Sequence, residues 1–266
     1  MSVSAGKIDD KSTESRFTPT AIISVFRGPG TTTDTFTFAM LDLFPEEKPM
    51  PDVIFTGPEG RLEGRYQPGP SANAPVALVL HPHPQYGGTM NNKVVYHLFH
   101  TFTRRGYSTL RFNFRGVGRS QGIFDQGIGE LADAASALDW LQATNLQARG
   151  CWVAGFSFGA WIAMQLLMRR PEISGFILAA PPASLLDFSF LAPCPSSGLV
   201  IHGTADEMVP EPEVAKLVHK LSNQRDISVD YHRIVGASHF FDGHFDELSS
   251  VADAYLEKTA TMVPSD

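Results

Sequence analysis

The chain has 266 residues, and its 21 Lys and Arg against 28 Asp and Glu give a formal net charge of −7. With 43% hydrophobic and 18% charged residues, the composition is that of an ordinary globular protein. The acidic balance disfavours nucleic-acid binding, because phosphate neutralisation needs clustered basic residues. No apolar run approaches the roughly 18 residues of a membrane-spanning helix, and no basic segment precedes an apolar one at the N-terminus. We therefore expect a cytoplasmic protein with no membrane partner.

The first 49 residues differ in composition from the rest of the chain. They are rich in threonine and charged residues, with few apolar residues until the short Thr-Phe alternation at 35–38, so we expect them to bury little surface. We predict that residues 1–49 form a disordered or loosely packed extension. Residues 50–266 are predicted to form one folded domain, starting near Met50 just before a strand-like run.

From residue 52 onward, short β-rich runs alternate with helical patterns. This alternation predicts an α/β fold with a mainly parallel, eight-stranded sheet covered by helices on both faces. Continuously apolar residues 75–80 fit a strand buried on both sides. Apolar residues at three- and four-residue steps predict a helix over 127–144. The predicted strands are 52–56, 61–66, 75–81, 107–114, 150–156, 174–180, 197–202 and 228–234.

The most informative segment has the pattern Gly-x-Ser-x-Gly between an apolar strand and an apolar helix. Ser157 stands at its centre, between Gly155 and Gly159. This is the nucleophile-elbow pattern in the context it requires, because a sharp strand-to-helix turn needs small flanking residues. The turn would also place Ser157 at the positive end of the following helix.

A serine nucleophile needs a base and an orienting carboxylate, and both can be found further along the chain. Asp206 comes just after a buried strand, where open α/β sheets place functional groups. His239 lies in a loop after the last predicted strand. The order Ser157, Asp206, His239 is therefore the predicted triad, with Glu207 and Asp242 as rivals for the acid and His244 as the rival for the base.

Two other interpretations of the chemistry are weaker. A metal cluster of histidines lacks an acidic ligand, and its members are badly spaced for one site. A dinucleotide-binding turn beginning at Gly116 has Gln121 where a third glycine should stand. We therefore predict no metal and no cofactor. The histidines considered are His81, His83, His97 and His100.

On these residues the chain resembles the α/β-hydrolase superfamily, and in particular its small bacterial serine-esterase and dienelactone-hydrolase-like branch. The resemblance covers about residues 52–260. It includes the His-Pro-His-Pro-Gln-Tyr-Gly-Gly loop at residues 81–88, where the superfamily has its oxyanion loop, and the Arg-Gly-Val-Gly-Arg-Ser turn at residues 115–120. Ser157 stands where dienelactone hydrolases use cysteine.

The resemblance implies hydrolysis of a small-molecule ester through an acyl-enzyme. The backbone N–H of Phe158 should be one oxyanion donor. Because proline has no N–H, the second donor in the loop is His83, Gln85 or Tyr86, and His83 is favoured by its position after the strand. Alternatives are a thioesterase, lactonase or peptidase with the same triad, or a non-catalytic binding protein with this fold.

The interval between the strand after the elbow helix and the strand before Asp206 is short. Residues 181–197 cannot build a separate lid domain, so we predict an open cleft suited to short acyl chains. An apolar run in this interval is a candidate acyl pocket, although a short core-covering helix would show the same pattern. The pocket candidates are Leu185, Leu186, Phe188 and Phe190.

Overall fold

A computed structural model describes residues 52–191, 193–224 and 226–260. The predicted N-terminal extension, residues 1–49, lies outside the described residues. The described residues form eight strands: β1 Asp52–Gly57, β2 Gly60–Gln67, β3 Val76–Leu80, β4 Ser108–Phe112, β5 Cys151–Phe156, β6 Ile173–Ala179, β7 Gly198–Gly203 and β8 Val229–Ile234. The α-helices of the described residues are α1 Lys93–Arg104, α2 Ile128–Thr144, α3 Phe158–Leu167, α4 Glu211–Ser222 and α5 Phe245–Ala260.

All eight strands belong to one sheet with the order β1-β2-β4-β3-β5-β6-β7-β8. β1 pairs antiparallel with β2, and β2 pairs antiparallel with β4. Every other pair is parallel. The sheet is therefore mixed but mainly parallel, and the predicted fold class is confirmed. The carboxyl ends of β3, β5, β7 and β8 all point to one edge, where loop residues from distant parts of the sequence can meet.

Helices cover both faces of the sheet. On one face, α2, α3 and α4 pack on alternate residues of the strands, such as Leu78 and Leu80 of β3. On the other face, α1 and α5 pack on the intervening residues, such as Ala77 and Val79. All five residues of β3 are buried, because its side chains alternate between two covered faces. The apolar run in the sequence follows from this burial.

The connection between β6 and β7 is short, as predicted. Residues 180–197 contain only turns and irregular backbone in their described part, so the fold has no separate lid domain at the place where the sequence excluded one. Among the described residues, no helix is long and apolar enough to span a membrane.

Candidate active site

Ser157 lies at the sharp turn between β5 and α3. Its backbone has φ 53° and ψ −119°, and residues other than glycine rarely adopt such a left-handed φ. Its N–H donates to the carbonyl oxygen of Ala179 at 2.9 Å, which fixes the turn against the end of β6. Half-buried Ser157 therefore points its hydroxyl out of the carboxyl edge of the sheet.

The glycines on either side of Ser157 are required by close backbone contacts. A Cβ atom on Gly155 would overlap the carbonyl group of Gly159, and one on Gly159 would overlap the carbonyl oxygen of Leu80. Neither obstacle is a flexible side chain that could move aside. The elbow thus packs α3 directly against β5 and against the end of β3, which carries the loop at residues 81–88.

Asp206 lies in the loop between β7 and α4, which we call the acid loop (residues 204–209). Its Oδ1 accepts hydrogen bonds from the backbone N–H groups of Met208 at 2.9 Å and Val209 at 2.8 Å. Burial disfavours ionisation of this carboxyl, but the hydrogen bonds from His239 and Val209 outweigh it and hold the pKa of Asp206 below its ordinary value. Asp206 is therefore a fixed, ionised acceptor.

His239 connects this carboxylate to the serine. The distance from His239 Nδ1 to Asp206 Oδ2 is 2.7 Å, and that from His239 Nε2 to Ser157 Oγ is 3.0 Å. Because the carboxylate can only accept, Nδ1 carries the proton and Nε2 is left to accept from the serine hydroxyl. The structure thus brings together the three side chains that the sequence grouped, in one hydrogen-bonded relay.

The rival residues lie elsewhere. Glu207 and Asp242 are exposed, and His239 has its short hydrogen bond with Asp206 instead. His244 Nδ1 contacts the backbone carbonyl oxygen of Asp242 at 3.1 Å. Burial at the sheet edge therefore distinguishes Asp206 and His239 from their neighbours in sequence.

The loop after β3 offers one free donor among the three considered. The N–H of Gln85 donates to His83 Nδ1 at 3.2 Å, and that of Tyr86 donates to the carbonyl oxygen of His83 at 3.1 Å. Within the described part of the chain, the N–H of His83 donates to no protein group. The N–H of Phe158, in the first turn of α3, likewise has no acceptor there. The two predicted oxyanion donors are therefore both available.

The side chains of the two donor residues are in aromatic contact. The ring of His83 lies 5.0 Å from that of Phe158 and 4.8 Å from that of Phe124, measured between centroids. Phe158 also contacts Trp161 at 5.7 Å. Phe124, in the loop before α2, was not singled out from the sequence, because a lone aromatic in a loop carries no periodic signal.

The predicted acyl-pocket residues divide into two groups. Leu185 is 59% exposed, whereas Phe188 is buried and lines a surface groove against α4. Phe188 also stacks on Phe190 at 6.0 Å. None of the described residues lining that groove belongs to the relay. Phe188 therefore packs against the core, and a pocket role for all four candidates, Phe188 included, stays a prediction.

The histidines weighed as metal ligands have other partners. His81 is fully buried; its Nε2 accepts from the N–H of Phe114 at 3.0 Å and its Nδ1 donates to the carbonyl oxygen of Pro82 at 2.6 Å. His97 contacts Ser249 Oγ at 3.0 Å. Among the described residues, no three His, Cys, Asp or Glu side chains group in a way that could hold a metal ion.

One residue near the relay was missed from the sequence. His202, near the end of β7, is fully buried, and its Nε2 lies 3.7 Å from Asp206 Oδ2. The signal was present, since a histidine inside an apolar strand four residues before the predicted acid is unusual. Only the course of the acid loop shows that the two side chains meet.

Comparison with known proteins agrees with this fold. A family model of X-Pro dipeptidyl-peptidases (S15 family) matches residues 65–192. A solved α/β-hydrolase-fold protein of unknown function from Agrobacterium tumefaciens is 59% identical, with a TM-score of 0.78, over 81% of this chain and 100% of that one. An uncharacterized protein of Rickettsia prowazekii is 54% identical over 211 residues, which are 78% of this chain and 89% of that protein.

A solved α/β serine hydrolase without a lid, from Xanthomonas campestris, is 33% identical, with a TM-score of 0.72, and the alignment covers 84% of this chain and 99% of that one. Fold and site together define a hydrolase of the α/β class. The chain belongs to the α/β-hydrolase superfamily, among its serine hydrolases.

Proposed function

We propose that the chain hydrolyses small or short-acyl carboxylic esters through an acyl-enzyme formed on Ser157. The observation that carries this proposal is the hydrogen-bonded relay from Ser157 through His239 to Asp206, with distances of 3.0 and 2.7 Å. Both lie within the range required of a nucleophile, its base and its orienting acid. The relay ends at a half-buried hydroxyl, which a substrate can reach from solvent.

In the proposed reaction, Ser157 Oγ attacks the ester carbonyl carbon while His239 Nε2 takes the hydroxyl proton. The carbonyl oxygen becomes an oxyanion, for which we propose the N–H groups of Phe158 and His83 as donors. His239 then gives its proton to the departing alcohol, leaving an acyl-enzyme. Water, deprotonated by His239, then attacks the acyl carbon. The bond from that carbon to Ser157 Oγ breaks, His239 returns the proton to Oγ, and the carboxylic acid leaves. Asp206 stabilises the imidazolium in both steps without taking its proton.

A peptidase is the second candidate, because of the match to the S15 family model. That match ends at residue 192, before Asp206 and His239. Exopeptidases that read a free N-terminus need an anionic group to hold the ammonium. The two fully buried carboxylates of α2 are both engaged: Glu130 accepts from backbone N–H groups at residues 125 and 127, and Asp133 pairs with Arg115. Neither of these two carboxylates is therefore free to hold a substrate ammonium group.

A direct comparison of substrates tests the proposal. We expect p-nitrophenyl acetate and butyrate to be hydrolysed with kcat/KM well above that for an Xaa-Pro p-nitroanilide, with a thioester and a lactone assayed in parallel. A fluorophosphonate probe should label the wild-type protein and spare Ser157→Ala. Preferential cleavage of the anilide would establish the peptidase, and a wild-type protein inert to the probe would indicate a non-catalytic binding protein.

A further inference from the structure

His202 is a buried titratable residue that has no step in the proposed reaction. Its Nε2 lies 3.0 Å from the carbonyl oxygen of Val209. Because a carbonyl oxygen can only accept, Nε2 must carry the proton. Burial lowers the pKa of His202 despite the opposing effect of Asp206, so the ring is neutral at pH 7 and donates from this one nitrogen.

The hydrogen bond to Val209 closes the acid loop across its base. The chain leaves β7 after Gly203, passes through Asp206 and returns at Val209 before α4 begins. Val209 donates its N–H to Asp206 Oδ1 at 2.8 Å and accepts from His202 through its carbonyl oxygen. The main chain that holds the carboxylate is therefore itself held by His202.

The acid loop is also tied to the loop that carries the base. The N–H of Ala205 donates to the carbonyl oxygen of Ala237 at 3.0 Å, and that of Thr204 donates to the carbonyl oxygen of Ile234 at 3.0 Å. These bonds fix the start of the acid loop, and His202 fixes its end. Asp206 lies between the two attachments, so its position relative to His239 depends on both.

Packing alone does not explain a histidine at this position. Nδ1 of His202 is buried and has no hydrogen-bond partner among the described residues, and an unsatisfied buried nitrogen is costly. A leucine of similar volume would avoid that cost. A leucine could not donate the hydrogen bond that His202 Nε2–H makes to the carbonyl oxygen of Val209. Because Val209 in turn donates its N–H to Asp206, this bond links His202 to the relay.

We propose that His202 is a positioning residue, which holds the acid loop so that Asp206 orients His239 toward Ser157. This inference rests on the proposed function, since it assigns His202 an effect on a relay that must first be catalytic. Nε2 lies 3.7 Å from Asp206 Oδ2, too far for a hydrogen bond, so the effect passes through Val209.

Two substitutions separate the effect of the His202 hydrogen-bond donor from the effect of the volume that its side chain fills. In His202→Gln, the side-chain amide nitrogen overlays Nε2 and can still donate to Val209, whereas His202→Leu fills the space without a donor. We expect His202→Leu to lower kcat on p-nitrophenyl butyrate about tenfold with little change in KM, the scale of one lost hydrogen bond. His202→Gln should retain most of the wild-type kcat.

The pH profile of kcat/KM supplies a readout that a purely structural role would not move. The titratable groups facing His202 are Asp206 and His239 of the relay and Glu211 of α4. A displaced Asp206 stabilises the His239 imidazolium less, so the acid limb of the profile should move to lower pH in His202→Leu. In His202→Gln it should stay at the wild-type position.

A double-mutant cycle with Asp206→Ala gives the decisive comparison. If His202 acts through Asp206, adding His202→Leu to Asp206→Ala should cause no further loss of kcat. An additive loss, an equal loss in the Gln and Leu variants, or wild-type kinetics in His202→Leu would each overturn the inference. Should His202→Leu fail to fold, His202→Asn replaces it, because its shorter amide cannot reach Val209. The proposed function fails separately, if Ser157→Ala stays active.

Discussion

The position of the Ser157 hydroxyl at the turn requires a strained backbone conformation. A left-handed φ of 53° costs on the order of 1–3 kcal/mol in a residue other than glycine. The surrounding packing holds this conformation, because Gly155 and Gly159 let the strand and helix approach within backbone contact. The strain therefore lies in the backbone of the turn and does not depend on the side-chain hydroxyl.

Replacing Ser157 with alanine should remove activity and leave the fold intact. Alanine keeps the Cβ atom and the same backbone constraint, so Tm should change little. Turnover of p-nitrophenyl butyrate should fall on the order of 10⁴-fold or more, because the members of a relay act as a unit. Circular dichroism and thermal melting provide the folding control; a variant that is folded and retains a tenth of the wild-type kcat would show that another nucleophile acts.

His239 and His244 form a matched pair for testing the base. They lie five positions apart in the chain, but it is His239 that contacts Ser157 and Asp206, whereas His244 contacts a backbone carbonyl. We expect His239→Ala to lose about as much kcat as Ser157→Ala, and His244→Ala to stay within a few fold of wild type. The opposite ranking of the two variants would move the base to His244.

At the level of elements, the short connection between β6 and β7 leads us to expect an open approach to the relay. Residues 180–197, in their described part, add turns and no helix, and Leu185 is 59% exposed there. The open cleft predicted from this short interval would bury a few methylene groups, each worth about 0.8 kcal/mol. We therefore expect no further gain from longer chains.

Acyl-chain preference should reflect this openness. For p-nitrophenyl esters, kcat/KM should be highest between acetate and hexanoate, and the rate should not rise when substrate forms an interface. The measurement is a series from acetate to palmitate below the critical micelle concentration, with an emulsified triglyceride as the interfacial control. A kcat/KM that keeps rising through dodecanoate would reveal a deep apolar pocket.

For the whole molecule, buried His81 couples stability to pH. It links the ends of β3 and β4 as a neutral ring, and burial lowers its pKa to about 3. Between about pH 6.5 and 3 only the unfolded chain therefore takes up a proton at this residue, so the free energy of unfolding falls as pH falls. The contribution is complete above pH 6.5.

His81→Gln should flatten this dependence. Its amide oxygen overlays Nε2 and can accept from Phe114, but it does not titrate. Urea unfolding at several pH values between 7 and 4 should show the slope reduced by up to about 1.4 kcal/mol per pH unit. His219→Gln, on the exposed side of α4, is the control and should follow wild type; parallel curves for all three proteins would remove His81 as the cause.

The proposed reaction uses groups of the protein chain, the ester and water, and invokes no metal ion. Prolonged treatment with EDTA should therefore leave kcat and Tm unchanged. Rates before and after dialysis against the chelator, with zinc, manganese and magnesium added back separately, are the measurement. A loss of kcat that one of these metals restores would support a metal site among His81, His83, His97 and His100.

The sequence by itself determined the order and type of the elements. Apolar runs such as residues 75–80 fixed which strands are buried on both faces, and alternation with amphipathic helices implied a mainly parallel sheet. The elbow was equally local, since Gly155, Ser157 and Gly159 carry their steric requirement within five residues. These features follow from the chain's own periodicity and backbone geometry.

Tertiary structure decided what depends on the meeting of distant loops. The sequence placed Asp206 ahead of its rivals Glu207 and Asp242 by its position after a buried strand, but it is the path of the acid loop that brings Asp206 to 2.7 Å from His239. The conformation of the loop after β3 likewise decides which of its backbone N–H groups find an acceptor: those of Gln85 and Tyr86 do, whereas that of His83 donates to no group in the described part of the chain. The bond between His202 and Val209 depends on a loop closing on its own strand. Hydrogen bonds of this kind are set by directions in space, which a one-dimensional pattern does not encode.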